Sequence, residues 1–295
     1  MSEREGGSTV TAVVNSFLHE RTYTITHLVS DPDTGRALII DSVLDFDSRA
    51  LRTTTEAADR IIAHVGECGL NVDWILETHV HADHMSAAPY LREALGGQTA
   101  IGEHVREVQN TFAGLYNAGP ELATDGSQFD HLLADGEKLA IGNLELEVMS
   151  TPGHTPACAS YRVGDALFVG DTILMEDFGT ARCDFPGGDA RTLYQSIQRL
   201  LSLPEETRMF LCHDYGPNGR AIAWETTVGA QRRGNIHVKE GISEDEFSAK
   251  REARDAKLEL PELLFQSVQV NMRAGQLPPS ESNGVTYLKI PINAL

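Results

Sequence analysis

Five histidines and two aspartates stand in short motifs that could bind metal ions. They are His79, His81, Asp83, His84, His154, Asp171 and His213. Imidazole and carboxylate groups bind zinc, iron and related ions, so no thiolate is required. Burying this many polar side chains without a metal would be costly. The set therefore predicts a metal centre that holds one ion or two adjacent ions.

We call these seven residues the metal set. A predicted strand precedes each of the motifs that contain them. These strands cover residues 72–78, 139–149 (a hairpin about Gly142-Asn143), 157–163, 166–169 and 208–212. Each ligand follows such a strand directly or stands in the tight turn after it. Loops at strand ends let a rigid scaffold hold side chains that converge on one point.

The remaining elements indicate an α+β protein. Further strands are predicted over 10–18, 22–29 and 37–43. Amphipathic helices are predicted over 54–68 and 192–202, and a further helix over 87–95. Strands come in runs with helices between them, which favours two sheets covered by helices over a regular βαβ alternation.

The chain of 295 residues can bury a substantial core. We expect a flexible N-terminus over 1–9 and one domain over 10–295, with 216–295 as a C-terminal extension packed on it. Within the extension, a charged helix is predicted over 243–257 and a returning strand over 285–292. Charged side chains of that helix, including Arg251 and Arg254, are expected on a solvated face.

Composition narrows the function classes. The formal net charge of −19 argues against partners such as nucleic acid or an anionic membrane. No apolar run approaches the roughly 20 residues of a membrane span. The polar, acidic residues 1–9 do not read as a targeting signal, so a cytoplasmic location is expected. The four cysteines are scattered without CxxC spacing, as expected for reduced thiols.

Four motifs resemble, in order, the metal motifs of the metallo-β-lactamase superfamily. They are Thr78-His-Val-His-Ala-Asp-His84, Thr151-Pro-Gly-His154, Val169-Gly-Asp-Thr172 and Cys212-His-Asp-Tyr215. The resemblance covers about residues 10–225 and implies an αββα sandwich of two mixed β-sheets flanked by helices, with the metal site at one edge. This scaffold hosts hydrolases, redox enzymes and nucleases, so the reaction must be argued from the site.

Finer features resemble the persulfide dioxygenases, which are glutathione-dependent, non-haem iron enzymes. The features that carry this resemblance are the stretch Phe178–Phe185, the pair Leu193-Tyr194 and the ending His213-Asp-Tyr215. The resemblance implies one Fe(II) per chain, with His79, His154 and Asp171 as its metal ligands and catalytic residues. The implied reaction converts glutathione persulfide, O₂ and water to sulfite and glutathione. Two histidines and one carboxylate are typical of iron oxygenases, because they leave coordination positions free.

The other four metal-set residues have two interpretations. In the dioxygenase, His81, Asp83, His84 and His213 would orient the ligands and order water. The same four complete a two-metal site in the related glyoxalase II hydrolases. The alternative function is therefore a dinuclear zinc hydrolase, a thioesterase or lactonase with two Zn.

For substrate binding, the resemblance points to Arg182 and Tyr215. A guanidinium fork matches a carboxylate of glutathione. The helical C-terminal domain that supplies basic glutathione contacts in glyoxalase II has no clear equivalent in residues 216–295, which weakens the hydrolase reading. A homodimer is the default expectation for the assembly.

Overall fold

The computed structural model describes residues 11–294 as two stacked β-sheets with helices on both outer faces. The strands are β1 (Val13–His19), β2 (Thr24–Ser30), β3 (Arg36–Ile40), β4 (Val43–Asp47), β5 (Arg52–Thr54), β6 (Asn71–Glu77), β7 (Met85–Ser86), β8 (Gln98–Gly102), β9 (His131–Leu133), β10 (Lys138–Ile141), β11 (Leu144–Ser150), β12 (Ala159–Val163), β13 (Ala166–Phe168), β14 (Arg208–Phe210) and β15 (Glu225–Thr227). The α-helices are α1 (Glu56–Cys68), α2 (Ala88–Leu95), α3 (Val105–Leu115), α4 (Ala190–Leu201), α5 (Val228–Gly234), α6 (Glu244–Asp255) and α7 (Leu264–Asn271).

Both large sheets are mixed. The first has the order β1-β2-β3-β6-β8-β9, antiparallel up to β3 and parallel from β3 to β9. The second runs from β10 to β15 in chain order, with β13 and β14 as its parallel pair. A small sheet, β5-β4-β7, adjoins them. The predicted αββα sandwich of two mixed sheets is confirmed.

The core lies between the two sheets and continues beneath the helices. Leu38 and Leu76 of the first sheet pack against Tyr161 and Phe168 of the second, and all four are buried. Burial of a large apolar side chain stabilises a fold by about 1.5–3 kcal/mol. Helices α1 and α2 cover the outer face of the first sheet, and α4, α5 and α6 cover the second. The sandwich is thus a rigid frame whose strand ends carry the loops.

Direct contacts join the sheets where β2 meets the end of β14. The backbone N–H of Ile25 donates to the carbonyl of Cys212 at 2.7 Å, and His27 Nε2 donates to the carbonyl of Leu211 at 3.0 Å. Burial lowers the pKa of His27 to about 4, so its ring stays neutral in this bond. Residue His213 is thereby placed beside β2.

Close packing fixes the turn that carries His154. Gly153 has φ of 138°, and a β-carbon there would lie 2.3 Å from the α-carbon of Leu193 on α4. The Asp189 backbone N–H donates to the Gly153 carbonyl at 2.9 Å, and the Asp189 side chain caps α4 through Thr192. Helix α4 and the turn therefore hold each other in place.

The C-terminal extension differs in part from its prediction. The charged helix is present as α6, and α5 and α7 are additional helices. The prediction of a strand over 285–292 is wrong, because this segment joins none of the three sheets. The backbone of its Lys289 instead pairs with the Gln269 side chain. The expected flexible N-terminus, 1–9, lies outside the described residues. Within 11–294, no helix is both long and apolar enough to cross a bilayer.

We expect Gly153→Ala to destabilise the protein much more than Gly164→Ala. Both glycines have positive φ, but a β-carbon at Gly164 meets nothing within 4 Å. Gly164→Ala should therefore cost about 1 kcal/mol of unfolding free energy for backbone strain alone. Gly153→Ala should cost at least about 3 kcal/mol, since strain and overpacking combine. Chemical denaturation measures both, and equal losses would contradict the tight turn.

Candidate metal centre

The metal set converges at one edge of the sandwich, because four loops end there. The loop after β6 carries His79, His81, Asp83 and His84, while His154, Asp171 and His213 follow β11, β13 and β14. The five histidines are buried, and the two aspartates are partly exposed. The structure therefore brings together all seven residues that the sequence singled out.

Two histidines and one carboxylate form the first ligand set. The Nε2 atoms of His79 and His154 lie 3.9 and 3.7 Å from Oδ2 of Asp171. One potential ligand atom from each residue falls within 4.8 Å of the other two. This is the donor type and number of a two-histidine, one-carboxylate iron site.

A second ligand set adjoins the first through the same aspartate. Its four members are His81, Asp83, His84 and His213, with ligand atoms within 4.8 Å of one another. The Nε2 atom of His213 lies 3.4 Å from Oδ2 of Asp83 and 3.6 Å from Oδ1 of Asp171. Asp171 thus presents one oxygen to each set, as a carboxylate between two ions would.

Hydrogen bonds fix the tautomers of the first set. The Thr78 hydroxyl donates to Oδ2 of Asp41 at 2.8 Å, so its oxygen accepts a bond from Nδ1 of His79 at 3.0 Å. Nδ1 of His154 donates to the carbonyl of Arg182 at 2.6 Å. With each Nδ1 carrying the proton, each Nε2 lone pair faces Asp171 and is available to a metal.

Hydrogen bonds also fix the tautomers of two histidines of the second set, His84 and His213. Nδ1 of His84 donates to the Met85 carbonyl and Nδ1 of His213 to the Tyr23 carbonyl, each at 3.2 Å. Both Nε2 atoms then face the centre. An oxygen behind each imidazole and a free nitrogen in front is the usual arrangement of metal-binding histidines.

His81 is held from the opposite ring nitrogen. Its Nε2 lies 2.9 Å from Oδ1 of Asp41 and 3.4 Å from Glu77, whose other oxygen accepts from Ser86 at 2.5 Å. Burial opposes protonation of the ring, but the two carboxylates outweigh it and raise the pKa of His81 well above its ordinary value. Nδ1 of His81 is left facing the centre.

Four buried atoms of the centre lack a hydrogen-bond partner among the described residues. They are Nδ1 of His81, Nε2 of His84, Nε2 of His213 and Oδ1 of Asp171. An unpaired buried polar atom is costly, and a bound cation would remove that cost. The residues present therefore fit a metal.

The protonation states of His79, His84 and Asp83 suit cation binding, whereas His81, whose pKa is raised, must give up the proton on Nδ1 when a metal binds there. Burial and the neighbouring imidazoles lower the pKa of His79 well below its ordinary value, and that of His84 to about 3. Burial opposes ionisation of Asp83, yet His213 and His84 lower its pKa to about 2. At neutral pH these groups are neutral imidazoles and a carboxylate, which are the forms that bind metal.

A cavity of about 290 Å³ opens over the first ligand set. Its walls include Phe178, Phe185, Tyr215, Arg182 and Arg254. The rings of Tyr215 and His213 lie parallel with centroids 6.0 Å apart. Both predicted substrate residues therefore line the cavity. Apolar walls with a few polar groups are typical of a small-molecule site.

The Arg182 guanidinium already has partners. It forms a bidentate pair with Asp184 at 2.6 and 2.7 Å and donates to the carbonyl of Glu259 at 2.6 Å. It also lies over the ring of Phe185. A substrate carboxylate would have to compete with Asp184, so the role predicted for Arg182 stays a prediction.

Helix α6 supplies cavity residues that the sequence reasoning missed. Arg251 is 2% exposed and pairs with Asp255, while Arg254 lies 5.3 Å from the ring centroid of Phe178. The prediction that these arginines lie on a solvated face is wrong, because this side of α6 packs against the loop after β13. Arginines three residues apart on a predicted helix share one face, and that spacing was the available signal.

The metallo-β-lactamase superfamily model matches residues 24–213. The chain is 56% identical to a probable metallo-hydrolase of Burkholderia pseudomallei over 96% of this chain and 99% of that one. It is 30% identical to the mitochondrial persulfide dioxygenase ETHE1 of Bos taurus over 93% of both chains. A crystal structure of ETHE1 from Myxococcus xanthus superposes with a TM-score of 0.71 at 30% identity, covering 90% of this chain and all of that one.

We expect Asp171→Ala to lose its metal, because Asp171 faces both ligand sets. Its affinity should fall by more than the 10- to 100-fold that is usual when only a residue behind a ligand is removed. Elemental analysis of the purified variant measures the loss. Asp135→Ala is the control, since that exposed carboxylate pairs with Arg199 at the surface. Wild-type metal content in Asp171→Ala would remove Asp171 from the ligands.

Proposed function

The chain belongs to the metallo-β-lactamase superfamily, and we propose that it acts within it as a persulfide dioxygenase with one Fe(II) per chain. Glutathione persulfide, O₂ and H₂O give glutathione, sulfite and two protons. The persulfide loses four electrons, which O₂ takes up, and the oxygens of O₂ and H₂O make up the sulfite.

The observation that carries this proposal is the first ligand set beneath the cavity. His79, His154 and Asp171 offer three donors on one side and leave the cavity side to small ligands. A ferrous ion bound there would supply the one-electron chemistry that O₂ needs. The chain's own part is to bind the persulfide beside that position, which lowers the entropic part of the barrier.

The cavity walls suit a thiol substrate with carboxylates. Phe178 and Phe185 exclude water from the reacting sulfur. Arg254 has no ion-pair partner among residues 11–294, and burial together with Arg251 lowers its pKa from the ordinary value. An unpaired, partly buried guanidinium attracts a carboxylate strongly. In a chain of net charge −19, such a local cation is what an anionic substrate requires.

Similarity supports the same proposal. The likeness to ETHE1 persulfide dioxygenase extends over nearly the full length of both chains, including the C-terminal extension outside the superfamily match. The Burkholderia relative, at 56% identity, is named a probable metallo-hydrolase, a name that gives no substrate but favours the hydrolase candidate described next.

A dinuclear zinc hydrolase of the glyoxalase II type is the second candidate. The specific observation in its favour is the unpaired Nε2 atoms of His84 and His213 together with Oδ1 of Asp171. Two zinc ions bound by both sets would activate water for attack on a thioester or lactone. Helices α5 to α7 also remove one argument against it, since the extension is helical after all.

Metal analysis combined with an oxygen electrode tests the proposal. We expect the protein loaded anaerobically with Fe(II) to retain one iron per chain and to consume one O₂ per sulfite formed from glutathione persulfide. Asp171→Ala is the inactive control. Cleavage of S-lactoylglutathione without oxygen uptake, by protein with two zinc ions per chain, would establish the hydrolase instead.

Arg254→Gln should raise KM for glutathione persulfide about tenfold or more with little change in kcat. A hydrogen bond to a charged group contributes roughly 1.5–3 kcal/mol, and 1.4 kcal/mol is tenfold in affinity. Arg162→Gln is the control, because Arg162 lies on β12 and pairs with Glu147. An unchanged KM in Arg254→Gln would exclude Arg254 from substrate binding.

A further inference from the structure

The side chain of Asn271, at the end of α7, forms three hydrogen bonds with the loop that carries the first four metal-set residues. Nδ2 donates to the carbonyls of His81 and His84 at 2.8 and 2.7 Å. Oδ1 accepts from the backbone N–H of Ser86 at 2.8 Å. Asn271 is 5% exposed, so these bonds do not compete with bulk water.

The pattern of donors and acceptors selects asparagine at this position. Two carbonyls need two N–H groups and one backbone N–H needs an oxygen, which a single carboxamide supplies. An aspartate would have the same shape but would place a carboxylate oxygen against both carbonyls. An alanine would leave all three backbone groups without their partner in a buried place.

The segment that Asn271 holds has little other backbone support. Residues 78–84 belong to no strand, and β7 is only the pair Met85–Ser86. At its start the loop is fixed by Asp41, which accepts bonds from the Thr78 backbone N–H and hydroxyl. At the other end, β7 pairs with β4 over two residues, and Asn271 is the side chain that holds the carbonyls of the loop itself. The metal-binding loop is thus held at both ends by side chains from outside it.

Helix α7 itself is well anchored beside the loop. Val270 packs with Met85 in one buried cluster, and Val268 packs with Val80 in another. After α7, a β-carbon at Gly275 would lie 2.9 Å from the Ser86 carbonyl, so only glycine permits this approach. The C-terminal extension is therefore pressed against the loop, and Asn271 is its polar contact there.

We propose that Asn271 is a positioning residue of the metal centre. It holds the carbonyls of His81 and His84, and so fixes where the side chains of the loop point. The C-terminal extension would then set the metal affinity of a site whose ligands all lie in the first 213 residues. The inference rests on the metal centre, and not on the persulfide reaction.

Cobalt binding tests this role without any turnover. Co(II) affinity, from competition with a chelator, and the visible ligand-field spectrum of the Co(II) protein are compared between wild type and Asn271→Asp. We expect at least about tenfold weaker binding and an altered spectrum, as when a residue orienting a ligand is lost. Asn271→Ala should change both in the same direction, and it serves if Asn271→Asp does not fold.

Gln269→Ala is the matched control. Gln269 is also a buried amide on α7, but it bonds to the Lys289 backbone of the C-terminal segment. Its loss should lower thermal stability and leave Co(II) affinity and spectrum unchanged. Wild-type cobalt binding by a folded Asn271 variant would overturn the proposal, as would an equal loss in Gln269→Ala. A wild type without oxygen uptake would contradict only the dioxygenase.

Discussion

The buried carboxylate of Asp41 is the constraint on which the metal centre depends. It is 1% exposed, and it accepts bonds from the Thr78 backbone at 2.7 Å, the Thr78 hydroxyl at 2.8 Å and His81 at 2.9 Å. A buried anion is stable only with such donors, so its position and theirs are fixed together. Asp41 also has φ of 55°, an unfavourable value that the surrounding bonds hold in place.

From this point the orientation of the ligands follows by hydrogen bonding. Because the Thr78 hydroxyl donates its hydrogen bond to Asp41, the Thr78 oxygen must accept one from Nδ1 of His79. Nε2 of His79 then carries no proton and faces Asp171. Because Asp41 also accepts a hydrogen bond from Nε2 of His81, Nδ1 of that ring faces the centre. One carboxylate outside the motif therefore sets two of the five imidazoles.

The C-terminal extension completes the site from the opposite side. The Arg251–Asp255 pair on α6 bonds the backbone of Thr180 and Cys183, and the Arg182 carbonyl between them accepts from His154. The extension thus orients a ligand, lines the cavity and contributes Arg254. Arg182 is already paired with Asp184, whereas Arg254 has no ion-pair partner within residues 11–294 and is the more available of the two to an anion. The two candidate functions differ in whether one or both ligand sets would hold a metal ion.

The sequence by itself determined which seven residues converge at the site and the sandwich that carries them, because both depend on local patterns. Four residues of the set lie within six positions, and each of the others follows its own short strand. Only the tertiary structure decided what surrounds them. Asn271 bonds to the carbonyls of His84 and His81, which lie 187 and 190 residues earlier in the chain. The sequence around Asn271 or around the loop does not predict these two bonds. The alternating segment 285–292 reads as a strand, but a strand needs an available sheet edge, and there the partner is the side chain of Gln269. Periodicity reports which side chains are apolar, whereas hydrogen-bond partners across the fold depend on how the elements pack.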